Sequence, residues 1–529
     1  MKLKQLTTPL LLFFLTIATN IAYSQEEDML NPRAEAYFEA GNFNRAYAEY
    51  MRAYPKQKTN LSLLYRIAES ILQIEMPRDT ACYFINKFIE KEPNETEAYY
   101  MAALAYYHAH NFSKASTHIN KYLTMTTNKE DISKAKKLQV WITNAERMVK
   151  NPTNIPIINL GSTINTINQE INPYIFPDGK TLIFSCDEKY NSMAMLNYFN
   201  LKVSDNLGLN WSKCKDVSGT NINTLYDEYV AGISDNNVIF CSNRDVQFSL
   251  FEAERKSKGG KFGEAKKYPE PIDFKGDEVA ATLSVTGDTI IFTRTIENGL
   301  LDLYYSIKSR GSWGIPRPLP GQINQSSSDE NYPSFSPDGK RLYFASNRES
   351  SMGGYDLYYS DYNEKTKEWG APIQMQYPIN DTYDNLTISH TSDGRYAYIS
   401  SIRKDGYGGR DIYAIIYKNI EPTTALFKCF VGLKNGDDDP KKLTETPRIT
   451  VFDETGEMVA SLKVNMKKST FLLSIGPGNY TITIDSPEAK PFKDKLVIPE
   501  KYFDKGTPIS KKYILTPTET TTETTKTKK

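Results

Sequence analysis

Cysteine, histidine and tryptophan are scarce, at 5, 4 and 4 of 529 residues. The cysteines, Cys82, Cys186, Cys214, Cys241 and Cys429, are odd in number, scattered, and form no C-x-x-C pair. A dense disulfide framework is therefore excluded, and one or two bridges are the most that could form. An excess of either charge is missing: Lys plus Arg and Asp plus Glu are 64 each. No global field draws the chain to nucleic acid or acidic lipid. After the first 24 residues no run approaches the roughly 18 apolar residues of a spanning helix. No G-x-S-x-G, H-E-x-x-H or P-loop occurs, so serine-hydrolase, zinc-peptidase and nucleotide chemistry find no support, and no cofactor is expected.

What is present is globular: 40% hydrophobic and 24% charged residues, with 36 Tyr and 24 Phe that lean toward sheet. The length predicts three or four units at about 100–200 residues each. Lys2 and Lys4 precede the apolar stretch 10–17, and Ala22 and Ser24 stand at −3 and −1 before Gln25. Residues 1–24 read as a secretory signal peptide, and loss of its two lysines leaves the mature chain at −2. The first cysteine is Cys82, so no lipid-bearing N-terminus is expected.

Residues 27–150 are Ala-rich with helical period. Gly41, Phe43, Ala46 and Tyr50 recur as Ala81, Ile85 and Phe88, and again as Asn111, Phe112, Ala115, Ile119 and Tyr122, at 34–35 residues. Small Ala where two helices cross, with an aromatic beside it, resembles tetratricopeptide (TPR) repeats and implies an all-α solenoid. The stripe Ile132, Ala135, Leu138, Trp141, Ile142, Ala145 and Met148 reads as a capping helix.

Pro152 and Pro156 end the helices, and residues 151–420 read as all β. SFSPDGKRLYFASNR at 334–348 is strand, Asp-Gly turn, strand, and variants of it start near 176, 234, 284 and 391. Each follows an acidic or amide anchor: Glu170, Glu228, Glu278, Glu330 and Asn385. A third strand with an aromatic follows, then a Pro-flanked fourth. Five such repeats predict a five-bladed β-propeller, with six blades as the alternative. The stray strand 157–161 would complete the last blade near 412–416 and remove the free edge. The phrase from Ser336 to Tyr358 resembles the TolB-type, WD40-like propeller repeat.

Residues 421–516 alternate in short runs around Gly476-Pro477-Gly478-Asn479-Tyr480. They resemble the carboxypeptidase-regulatory or transthyretin-like β-sandwich. The tail 517–529, TETTTETTKTKK from residue 518 on, has nothing to bury and should be disordered.

One constellation follows from geometry. Strands one and two of a blade are antiparallel, so a residue before the first meets a residue after the second. Glu228 meets Arg244, Glu278 meets Arg294, Glu330 meets Arg348, and Asn385 meets Arg403. Glu170 departs by facing Glu188-Lys189. These residues form either a latch that pins each blade or a rim that receives a partner. As exposed pairs they would contribute about 0–1 kcal/mol each. His108, His110 and His118 read as ordinary helix surface, not a metal site. The acidic loop Asn435-Gly436-Asp437-Asp438-Asp439 reads as a solvated turn, with calcium as its alternative. Ser204 to Trp211 is similar to the Asp-box of sialidases, displaced by one place on each side of Asp205.

A secreted chain of TPR-like repeats, TolB-like propeller and regulatory-type sandwich resembles a family of periplasmic, outer-membrane-associated proteins of the Bacteroidota, some of them in type IX secretion and gliding. The resemblance implies a non-enzymatic scaffold whose partners are other envelope proteins. Members that anchor themselves carry an OmpA-like domain or a lipobox Cys. Neither is in this sequence, so direct membrane or peptidoglycan anchoring is not expected. The alternative is a glycan- or substrate-binding propeller, including a glycoside hydrolase such as a sialidase.

Overall fold

The computed structural model describes residues 30–518, apart from 178, 194–195, 207–210, 235, 246, 258–260, 275, 418–424, 437, 477 and 499–508. The expected signal peptide and the tail beyond 518 lie outside the described residues, as do Asp437 of the acidic loop and Pro477. The chain divides into two compact units. The first holds the helices and the β region through Ile416, so the sequence boundary at 150 falls inside it. The second holds Tyr417 onward, with residues 205–213.

Among the described residues, seven α-helices open the first unit: α1 Pro32–Glu39, α2 Phe43–Ala53, α3 Leu61–Gln73, α4 Ala81–Ile89, α5 Thr96–His108, α6 Phe112–Met125 and α7 Lys129–Val149. Each packs on the next. Asparagine side chains at 31, 42, 60, 111 and 128 accept first-turn N–H groups, which sets most of the helix starts. The recurring Ala46, Ala81 and Ala115 have no exposed surface, as close helix crossing requires. All seven stripe residues of α7 but Ile132 are buried in the same core.

Five antiparallel sheets follow. Their first strands are Glu170–Ile175, Glu228–Ile233, Glu278–Leu283, Glu330–Phe335 and Ser389–His390, which number the blades 1 to 5. First strands of blades 1 to 4 neighbour one another in turn, and that of blade 1 meets blade 5. The ring is a five-bladed propeller. Ile157–Asn159 is the outer strand of blade 5, with Ile157, Ile158 and Asn159 opposite Ile415, Ala414 and Tyr413. Asn159 Nδ2 also donates to Asp411 Oδ2 at 2.8 Å. The expected fourth strands are shorter than the sequence suggested. In blade 3 they are the pairs Ser312–Trp313 and Arg317–Pro318, because proline cannot donate to a ladder and confines the outer edge. None of the five cysteines is bridged.

The second unit is a sandwich. One sheet holds Asp438–Lys441, Ala425–Asn435, Thr470–Ile475 and Ile509–Leu515, the other Met458–Leu462, Arg448–Phe452, Gly478–Asp485 and Phe492–Ile498. Alternate residues of both, among them Phe427, Val451, Leu473 and Ile482, form its core. Asn435 and Asp438 face each other across a hairpin end, which is what the sequence read as a solvated turn.

Deleting residues 151–162 leaves Asp411–Ile416 as a bare edge. The expected outcome in scanning calorimetry is a lower and broader propeller transition, shifted by at least several degrees. An unchanged melt would overturn the closure.

Candidate functional site

Every blade's first strand starts, and its second strand ends, on one face of the ring. The loops there carry most of the buried charge. Glu228 and Glu330 have no exposed surface. Glu228 accepts from Arg244 Nη2 at 3.0 Å, from Thr224 N–H at 3.0 Å and from Ser242 Oγ at 3.1 Å. Glu330 accepts from Arg348 Nη2 at 3.2 Å, from Ser328 and from Ser346. In blade 3, Arg294 Nε donates to Glu278 at 2.9 Å. The same guanidinium groups donate to loop carbonyls, of Ile222 at 3.2 Å, Ile272 at 2.7 Å and Ile323 at 2.8 Å. They lie over Phe251, Phe292 and Tyr358. Each arginine thus joins the anchor carboxylate, the incoming loop and the sheet. The glutamates are fully buried and the arginines are 6–14% exposed, so of the two cases, exposed or buried, these pairs stand near the buried one.

Blades 1 and 5 differ. Glu170 meets neither Glu188 nor Lys189. It accepts from Thr166 and from the Cys186 thiol, while Glu188 binds Lys202 at 2.5 Å. The expected Asn385–Arg403 contact is not formed. Asn385 bonds to Asp381, and Arg403 approaches Asp381 Oδ2 at 3.9 Å while donating to Pro378 O. An amide has no charge to hold a guanidinium, and the carboxylate has moved four residues upstream. Burial pushes the Glu170 and Glu278 carboxyls up to about 7, against the hydrogen bonds that lower them. It raises Glu228 and Glu330 as well, despite their arginines.

A second repeat escaped the sequence reading. The dipeptides Ile164-Asn165, Ile222-Asn223, Ile323-Asn324 and Ile379-Asn380 precede the anchors of blades 1, 2, 4 and 5. Each asparagine accepts an N–H of a third strand and returns a bond to the same residue's carbonyl: Ile412, Leu201, Leu303 and Leu357. The amide continues the ladder where the backbone has left it. Before blade 3 the residue is Asp273, which pairs with Lys267 at 3.0 Å. One residue before the anchors of blades 2 to 5, Asp227, Asp277, Asp329 and Asp384 accept an N–H from at or just before the preceding blade's third strand, at 2.8–3.0 Å. The signal in the sequence is an Ile-Asn pair whose asparagine stands five or six residues ahead of the anchors of blades 1, 2, 4 and 5.

The helices cover this face over blades 4 and 5 and reach blade 1, where Arg45 of α2 lies over Tyr190 at 3.7 Å. Arg78 N–H donates to the Tyr383 hydroxyl at 2.9 Å, and His108 stacks on Tyr383 at 4.5 Å. Arg410 Nε meets Glu75 at 2.8 Å, and its Nη1 donates to Asp384 O at 2.6 Å. Tyr107 donates to Met352 O, and Asn144 of α7 donates to Glu349 O and Ser351 O. Gly353 and Gly354 of the repeated phrase leave room for the Tyr107 hydroxyl and the Asp384 carboxylate. Burial, with Arg78 beside it, holds His108 well below the ordinary histidine range, so it is neutral. His118 instead stacks on Tyr106 and His110 on Phe112, so the three histidines serve separate contacts.

On the opposite face, where the hairpin turns converge, a cavity of about 720 Å³ runs toward the junction of blades 2 and 3. Glu252, Tyr268, Lys308, Trp313 and His390 are among its walls, and His390 stacks on Tyr343 at 4.5 Å. In the Asp-box-like segment, Asp205 N–H donates to Ser212 Oγ, while 207–210 lie outside the described residues. Among the described residues no cluster of three His, Cys, Asp or Glu is arranged to hold a metal ion, and no helix is long and apolar enough to cross a membrane.

No protein-family model matches the chain, and no curated protein matches it. Solved structures that it resembles include a thermostable family-43 glycoside hydrolase, at 14% identity over 48% of this chain and 90% of that one, with TM-score 0.34. A putative TolB from Agrobacterium tumefaciens matches at 16% over 61% and 96%, with TM-score 0.30. An endo-arabinase from Bacteroides thetaiotaomicron matches at 13% over 49% and 96%, with TM-score 0.32. At such identities and scores they identify neither a substrate nor a partner for this chain.

Two outcomes follow from the latches. Arg348→Ala strands a buried carboxylate and should lower stability by about 3–5 kcal/mol, while Arg341→Ala, which breaks the half-exposed pair with Asp361, should cost about 0–1 kcal/mol. Urea unfolding of the two variants checks this, and equal losses would refute it. Glu170 is protonated more readily folded than unfolded, where its value is near 4.5. Its contribution is therefore full at acid pH and is lost as pH rises through about 7. Relative to the parent, Glu170→Gln should gain on the order of 2 kcal/mol between about pH 5 and pH 8. A difference that does not change with pH would count against the raised carboxyl.

Proposed function

We propose that this protein is a non-enzymatic periplasmic adaptor that holds other envelope proteins, with the outer membrane and the type IX secretion or gliding apparatus as its setting. The observation that carries this reading is the fusion of helices and propeller across a buried seam. The seam's carboxylates Glu75, Asp356 and Asp384 and the latch carboxylates beside it are taken up by arginines, amides and backbone N–H groups. Such contacts hold surfaces in place, which supports a holding role for the seam. TPR-like hairpins and a propeller are both architectures that present broad surfaces, which supports a holding role.

The cavity at the hairpin-turn face supports a second reading, glycan or substrate binding, including hydrolysis of the sialidase kind. Its volume falls within the roughly 300–1,000 Å³ of small-molecule pockets, and Trp313 offers an aromatic wall.

Affinity capture with the tagged mature chain from native envelope, read by mass spectrometry, should retain a small, reproducible set of envelope proteins. In parallel, 4-nitrophenyl sialosides and arabinosides should release nitrophenol no faster than with heat-denatured chain. Turnover above that rate, lost in Glu252→Gln, would favour the second reading and overturn the first.

A further inference from the structure

The cavity on the hairpin-turn face is the mouth of the propeller's central channel. Ile175, Ile233, Leu283, Phe335 and His390 line it, and each is the last residue of its blade's first strand. All five blades therefore share one opening. From there the cavity extends outward between blades 2 and 3. At the axis Gly232 lets the inner strands of these two blades close up, since a Cβ there would lie 1.9 Å from Ala281 O. Farther out the walls are Glu252 and Tyr268 on blade 2 and Lys308 and Trp313 on blade 3.

The wall chemistry narrows what can sit there. Among the described wall residues there is no arginine, and Lys308 is the one lysine. Its Nζ already lies over the Trp313 ring at 5.3 Å. Against it stand the carboxylates of Glu252 and Glu270. Burial pushes His390 down to about 3, so its ring adds no charge at neutral pH. An acidic ligand thus finds neither a guanidinium fork nor a positive field. A peptide strand finds few main-chain donors. The N–H groups of Ile175 and Phe335 already donate to Ser389 Oγ and Thr282 Oγ1 of the neighbouring blades.

What the walls offer is aromatic surface beside fixed hydroxyls and acceptors. Tyr268 donates to Glu252 Oε2 at 3.2 Å and so orients that carboxylate. Ser336 Oγ donates to Asp338 at 2.6 Å and accepts from Arg341 N–H at 2.9 Å, which leaves one lone pair for a ligand hydroxyl. The electron-rich face of Trp313 suits the C–H face of a sugar ring. At about 720 Å³ the cavity has room for a few such rings.

We propose that this cavity binds an uncharged oligosaccharide, with one sugar ring stacked on Trp313 and its hydroxyls bonded to Glu252 and the serines of the channel mouth. This rests on the glycan reading of the cavity and makes its ligand a neutral sugar in place of a sialoside.

The test uses the full mature chain in titration calorimetry with maltotriose, cellotriose, tri-N-acetylchitotriose and 3′-sialyllactose. At least one neutral trisaccharide should bind saturably, tenfold or more tighter than 3′-sialyllactose, with little change between low and high salt. Trp313→Ala should weaken that binding at least tenfold and Glu252→Gln several-fold. Trp313→Phe should keep most of it, with all melting temperatures close to the parent's. Neutral-sugar binding that Trp313→Ala and Glu252→Gln both leave intact puts the sugar elsewhere and overturns the proposal. So does 3′-sialyllactose binding as tightly as the neutral sugars, or neutral sugars failing to bind at all. In those last two cases the glycan reading still stands if 3′-sialyllactose binds or a nitrophenyl glycoside is turned over, and falls with the proposal if neither happens.

Discussion

The ring closes by borrowing a strand, and much else depends on that pairing. Ile157–Asn159 supplies the outer strand of blade 5 against Asp411–Ile416, although blade 5 is last in sequence and the strand precedes blade 1. Without it, the third strand of blade 5 would expose unpaired backbone groups. The same pairing positions the helices. Helix α7 ends at Val149, only a few residues before the borrowed strand, so the helical segment is tethered at blade 5. From there the helical segment meets blades 4 and 5 and reaches blade 1, where Arg45 lies over Tyr190.

A second level of order comes from side chains that act as backbone. Asn165, Asn223, Asn324 and Asn380 extend the ladders with an amide each, and the aspartates before the anchors tie one blade to the next. The glutamate latches lie behind these bonds. Buried ion pairs add little to net stability compared with apolar packing, but once one partner is present the other is obligatory. The recurrence of the pairs is best understood as specification of where each loop must run. Blade 5 supports this, since it gives up the glutamate yet supplies Asp381 to the same arginine region.

The raised carboxyls of this face have the same origin. Glu170, Glu278 and Asp384 are lifted mainly by burial, and their hydrogen bonds and nearby cations recover only part of the penalty. Perturbed acids often mark catalytic sites. Here Glu170 is oriented by the Thr166 N–H, Glu278 by Arg294 and Asp384 by the Tyr355 N–H.

The sequence by itself determined whatever repeats or alternates. Five Asp-Gly-type hairpins set five sheets, the 34–35-residue recurrence set the helices around Ala46, Ala81 and Ala115, and antiparallel pairing was enough to bring Glu228 to Arg244 and Glu330 to Arg348. Such features depend on residues close in the chain or in fixed register, so period and spacing report them. Only the tertiary structure decided what surrounds them. The seam joining Arg78, His108, Tyr383 and Arg410 comes from segments hundreds of residues apart, while burial of the latches and the turn of Arg403 to Asp381 instead of Asn385 depend on how the blade loops fold back. The ladder asparagines fall between the two cases. Their repeat is written in the sequence, but an Ile-Asn pair shows its purpose only once a strand edge lies against it.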